Sequence, residues 1–151
     1  MENGFHLTID AFNCEQETLR DIHLMETMLR ELPPAVGMRV IDGPFVKYHN
    51  AESSNICTVS EEGPTGVVIL AESHSSAHAY PSREYLAFDL FSCKQFNPGK
   101  VIDYLSKYYH PRVVSVNYFE RGMTVGYSER RRNPVSVEDA ISKFNMELLE
   151  V

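Results

Sequence analysis

Between Glu72 and Cys93 the chain reads ESHSSAHAYPSREYLAFDLFSC. Two histidines four apart, a cluster of serines and a cysteine follow directly on the apolar run Val67-Val68-Ile69-Leu70. A polar hairpin on a sheet would look like this, and so would a reactive site. Ser73 follows Glu72 at the end of that apolar run. A serine hydroxyl can attack the carbonyl carbon of the preceding peptide bond if the turn is strained and a base is near. The product is an ester. β-Elimination of the ester breaks the chain and leaves dehydroalanine, which hydrolyses to a pyruvoyl group. His78 is the candidate base, because imidazole titrates near neutral pH. In an extended segment Glu72, His74, Ser76 and His78 share one face, and Ser73, Ser75 and Ala77 share the other. Ser73 and His78 therefore meet only if the backbone turns after Ser73.

Other chemistries fit these residues poorly. His74, His78 and Cys93 lack a carboxylate or second cysteine at ligand-like spacing, so no metal is expected. Ser73 has no GxSxG elbow around it, which argues against a serine hydrolase. Taken singly, Ser73 reads as a turn residue and Cys93 as a small apolar filler.

The elements that must position this segment follow from periodicity. Gly4 to Asn13 alternates as a strand, with Phe5, Leu7 and Ile9 on one face. Leu19, Ile22, Met25, Met28, Leu29 and Leu32 recur at helical steps, and Pro33-Pro34 and Gly37 are expected to stop that helix. Residues 38–49 read as a strand kinked at Gly43-Pro44, and residues 50–65 as turn-rich. Residues 66–73 read as a strand buried on both faces. Residues 85–92 alternate again. A helix opens at Asn97-Pro98, a strand covers residues 111–122, and a last helix starts at Ser136. The order β-α-β-β-β-α-β-α predicts an α+β fold: a two-layer sandwich, a mostly antiparallel sheet with helices on one face. Residues 1–151 form a single domain in this reading, and a partner subunit would cover the open sheet face.

Composition bounds the partners. The 151 residues carry a formal net charge of -7, which disfavours phosphate backbones and hence nucleic acid. The basic run from Glu129 to Pro134 reads as a solvated loop. No apolar run is long enough for a membrane span, and the N-terminus lacks a secretory pattern. A cytoplasmic location is the default expectation. Cys14, Cys57 and Cys93 are an odd number without CxxC spacing, so neither disulfides nor a zinc site is expected.

The segment GVVILAESHSSAHAYPSREYLAFDLFSC, with HLTIDAFNCE before it and VNYFERG after it, resembles the prokaryotic S-adenosylmethionine decarboxylase proenzymes. That family shows S-E-S-H, a histidine four residues on, W-P, and a Y-x-A-x-D-x-F-x-C strand. The resemblance implies cleavage between Glu72 and Ser73, giving a β chain of residues 1–72 and an α chain of residues 73–151. It implies a covalent pyruvoyl group made from Ser73, which forms a Schiff base with the substrate amine. His78 falls at the processing histidine, Cys93 at the catalytic proton donor, and Thr65 at a serine that assists processing. The family also implies a homodimer of αβ protomers and a place in polyamine (spermidine) biosynthesis.

Three positions depart from the pattern. W-P-E becomes Tyr80-Pro81-Ser82, which removes a carboxylate expected to hold the substrate ribose. Val59 stands where an aromatic would stack on adenine. Glu61 and Glu62 bring negative charge that suits the distal cation of arginine or ornithine. The small-molecule substrate is therefore S-adenosylmethionine, or alternatively one of those amino acids. A non-enzymatic, unprocessed homologue is the remaining alternative.

Overall fold

The computed structural model describes residues 3–50, 61–122, 136–139 and 141–142. Six strands form one sheet: β1 (Asn3–Phe12), β2 (Val40–His49), β3 (Gly63–Leu70), β4 (Ser73–Tyr80), β5 (Tyr85–Ser92) and β6 (Val113–Gly122). Their order is β2-β3-β4-β5-β1-β6, and every adjacent pair is antiparallel. Helices α1 (Gln16–Arg20), α2 (Ile22–Ala35) and α3 (Pro98–Tyr109) lie on one face. This is the expected two-layer α+β sandwich. Among the described residues, no helix is long and apolar enough to cross a membrane.

Strand alternation decides which face carries chemistry. Leu7, Ile9, Val68, Leu70, Ala77, Ala79, Leu86, Phe88 and Leu90 point toward the helices and are buried. They meet Met25, Met28, Leu29 and Leu32 of α2 and Val101, Leu105 and Tyr109 of α3. Gly66 lets α2 come close to the sheet. A Cβ there would lie 2.6 Å from Leu29 Cδ1 and 2.8 Å from Val46 Cγ2. The intervening residues of the same strands face away from the helices.

Several expectations need correction. β3 is not buried on both faces: Val67 and Ile69 are each 37% exposed, because the helices cover only one side. The single helix expected after β1 is two. Asp21 turns extended between them, and its carboxylate accepts from the His23 and Leu24 N–H groups at 2.9 and 3.0 Å. Pro33 and Pro34 lie inside the last turn of α2 rather than beyond it, and Gly37 follows at φ +86°. Residues 73–80 form a strand absent from the expected order. Their Ser-rich, Ala-rich composition carries little strand propensity, and pairing on both sides with β3 and β5 supplies it. The kink at Gly43-Pro44 appears as a register break between Asp42 and Phe45.

Two caps match expectation. Ser136 Oγ accepts from the Asp139 N–H at 3.0 Å, and residues 137–139 and 141–142 are helical, while 140 and 143–151 lie outside the described residues. Asn97 caps α3, accepting from Gly99 N–H at 2.8 Å and Lys100 N–H at 3.4 Å. Asn97→Ala should cost about 1 kcal/mol of stability. Urea unfolding of the two proteins side by side measures this, and equal midpoints would remove the cap from the account.

Candidate active site

β3 ends at Leu70, a two-residue turn carries Ala71 and Glu72, and β4 begins at Ser73. Ser73 has φ +153°, backbone space that side chains other than glycine rarely occupy and that marks stored strain. Ser73 sits between Leu70 of β3 and Ser92 of β5 in the sheet register. The carbonyl oxygen of Glu72, on the bond expected to break, accepts the Cys93 N–H at 3.0 Å. An attack on that carbonyl would place negative charge on an oxygen that already has a donor.

Ser73 Oγ lies 3.0 Å from His74 Nδ1. No part in cleavage was expected of His74; neighbours on a regular strand point to opposite faces. The unusual φ of Ser73 is what brings hydroxyl and ring together. The adjacent histidine was the only signal available in the sequence. Cys93 follows β5, and its side chain is exposed beside this junction. Cys14 is the opposite case. It is buried, its Sγ donates to the Ala11 carbonyl at 3.7 Å, and burial, with Glu84 adding, pushes its thiol up to about 11. Of these two cysteines Cys93 is the exposed one. Cys57 lies outside the described residues.

Thr65 and His78 form a second cluster. They face each other across β3 and β4, with Thr65 Oγ1 2.5 Å from His78 Nδ1. Burial lowers the His78 pKa below its ordinary 6.5, His49 lowers it further, and Glu61 opposes. A neutral ring can accept a proton. Tyr80 packs close by with its ring tilted, the centroids 4.2 Å from His78 and 5.4 Å from Tyr85. The structure does not bring this pair to Ser73 within one chain. His78 is five residues along β4, roughly 16 Å away at about 3.3 Å per residue.

The remaining candidates are placed as follows. Ser82 is exposed in a short 3-10 turn at Pro81–Arg83. Glu61 is paired with Arg83, and Glu62 with Arg20. Neither carboxylate stands free for a substrate cation. Val59 lies outside the described residues.

The depressed His78 pKa has a consequence for stability. Below pH 6.5 the unfolded chain takes up a proton that the folded chain refuses, so stability falls as pH drops through the window down to the folded value. His78→Gln should flatten this part of the stability curve. Urea unfolding of uncleavable Ser73→Ala protein, with and without that change, from about pH 8 to about pH 5, checks it. Parallel curves would contradict the buried, neutral ring.

The S-adenosylmethionine decarboxylase family matches this chain over residues 5–122. The S-adenosylmethionine decarboxylase proenzyme of Clostridium botulinum strain Hall is 30% identical over 121 residues, covering 80% of this chain and 95% of that protein. The proenzyme of Thermococcus kodakarensis is 31% identical over 121 residues, covering 80% and 77%. That of Pyrococcus furiosus is 29% identical over 143 residues, covering 94% and 95%. The crystal structure of the adenosylmethionine decarboxylase from Aquifex aeolicus superposes with a TM-score of 0.61 at 22% identity, over 84% of this chain and 97% of that one, a likeness of fold. With the motif matched through every strand that frames Ser73, the chain belongs to the S-adenosylmethionine decarboxylase family.

Proposed function

We propose that this protein is a self-processing S-adenosylmethionine decarboxylase of polyamine biosynthesis, with a pyruvoyl group made from its own Ser73. The observation that carries the reading is the Glu72–Ser73 junction: a strained serine whose preceding carbonyl already accepts an N–H from Cys93.

The chain's own residues supply the cleavage steps. His74 takes the hydroxyl proton, Ser73 Oγ bonds to the Glu72 carbonyl carbon, and Cys93 N–H steadies the oxygen as charge builds. The C–N bond then breaks, the amine takes the proton, and an ester links the two residues. A base removes the Ser73 α-proton, the Glu72 carboxylate leaves, and water replaces ammonia to give the ketone. The junction fits that product: a planar carbon without the backbone nitrogen has no φ, so the strain at Ser73 is released. The pyruvoyl group supplies an electron sink for the pair that carbon dioxide leaves behind. Cys93, exposed next to the junction, is the residue to return a proton to the substrate carbon.

His78, along β4, and Thr65, opposite it on β3, lie too far from Ser73 to serve it within their own chain, and the sheet face they occupy is uncovered by any described element. These two facts support a homodimer in which the second copy contributes them. On substrate, the pairing of Glu61 with Arg83 and Glu62 with Arg20 weakens the case for arginine or ornithine, whose distal cation needs a free carboxylate.

Two experiments test the proposal. Carbon dioxide release from S-adenosylmethionine, arginine and ornithine should be highest with S-adenosylmethionine; preference for either amino acid would overturn the substrate. Co-expression of differently tagged Ser73→Ala and His78→Ala chains should cleave the His78→Ala chain, since each lends what the other lacks. No cleavage in the mixed dimer, with wild type cleaving, would mean that His78 acts within one chain, and cleavage of the His78→Ala chain expressed alone would mean that it takes no part.

A further inference from the structure

Glu72 is held from more than one side. Its carbonyl is bonded to Cys93 N–H, as described. The N–H of Ala71 donates to the Arg39 carbonyl at 2.8 Å. The Glu72 side chain returns the contact, its Oε2 accepting the Arg39 N–H at 3.0 Å. Val40 faces Leu70 as the last rung between β2 and β3. Past that rung a strand would place a backbone carbonyl opposite Arg39 N–H, and here a carboxylate takes its place. The side chain thus extends the β2–β3 ladder into the turn that carries the scissile bond.

The anchor itself is tied down. Lys94 Nζ, next to Cys93, donates to the Gly37 carbonyl at 2.8 Å. The Met38 N–H donates to the Pro33 carbonyl at 2.9 Å, and the Met38 side chain is buried. Arg39 therefore belongs to a fixed connection between α2 and β2. With Ala71 and both polar ends of Glu72 bonded to residues that flank β2 and β5, the mismatch between turn and strand falls on the next rotation, φ of Ser73.

We infer that the Glu72 carboxylate, bonded to the Arg39 amide, is a positioning device for self-cleavage: it fixes the scissile carbonyl and holds Ser73 in its strained conformation. This deepens the proposed function and rests on it. In the acyl shift the Oγ–C bond forms, the C–N bond breaks and the hydroxyl proton ends on the freed amine. An ester ordinarily lies above an amide. Strain that exists only while the Ser73 nitrogen is in the backbone raises the amide and narrows that gap. The clamp acts on the amide side alone.

The test uses full-length chain made by cell-free translation, quenched at intervals and resolved on denaturing gels. Glu72→Ala should cleave about tenfold more slowly than wild type, the worth of a charge-assisted hydrogen bond that holds the amide strained. Glu72→Gln keeps an acceptor of the same reach and should stay within about twofold. Arg39→Pro removes the donor and should slow cleavage as Glu72→Ala does, and combining the two changes should add little further loss. Hydroxylamine, which cuts esters and spares amides, should release a smaller fraction of Glu72→Ala chains than of wild type. Melting temperatures, measured in the uncleavable Ser73→Ala background, should agree within a few degrees. Cleavage of Glu72→Ala at the wild-type rate, equal slowing by Gln and Ala, or a large fall in melting temperature would overturn the clamp and leave self-cleavage standing. A wild-type chain that never breaks would overturn the proposed function itself.

Discussion

The arrangement around Ser73 depends on one constraint. The chain must leave β3 at Leu70 and re-enter the sheet at Ser73 with only Ala71 and Glu72 to turn it. β5 lies beyond β4, and Cys93, just past its end, supplies the N–H that catches the Glu72 carbonyl. The backbone resolves this geometry by placing a serine where glycine would be at ease. Alanine-lined strands and the buried Ser75 and Ser92 stiffen the surroundings. Ser75 Oγ donates to the Asp89 carbonyl at 2.9 Å, and Ser92 Oγ accepts the Lys94 N–H at 2.9 Å. A strained residue persists only where its neighbours over-determine it, and here they do.

The two sheet faces divide the labour. One holds an apolar core under three helices. The other carries polar and aromatic side chains in register: His6 beside Asp89 at 3.2 Å, Tyr85 donating to Asp10, and the rings of Phe12, Tyr85, Tyr80 and His78 in contact. Burial, with the bond to Asp10 adding, holds the Tyr85 phenol well above its usual range, so it stays a donor. A face built this way is furnished for chemistry or contact rather than for water alone, in keeping with the proposed dimer.

Much of this was legible in the residues. Strand periodicity in β1 and β5, the strand reading of residues 111–122 and the Asn97-Pro98 helix start are local signals, and the structure bears them out. The spacing from Glu72 to Cys93 pointed to the junction before any coordinates. What local signals could not reveal was set by distant contacts. β4 is a strand because two neighbours pair with it, not because Ser-His-Ser-Ser-Ala prefers to be one. Val67 and Ile69 look like core, yet lie on the face that no described helix covers. The role open to His74 follows from a backbone angle that no spacing encodes. Glu61 and Glu62 looked like free anions, and their arginine partners come from a different turn and a different helix.

Intact-mass measurement of the purified protein under denaturing conditions tests the central claim most directly. The account predicts two chains divided after Glu72, the second lighter by one ammonia than a chain beginning with plain serine, as a ketone terminus requires. A single unbroken chain, or a second chain that keeps its serine amine, would contradict it.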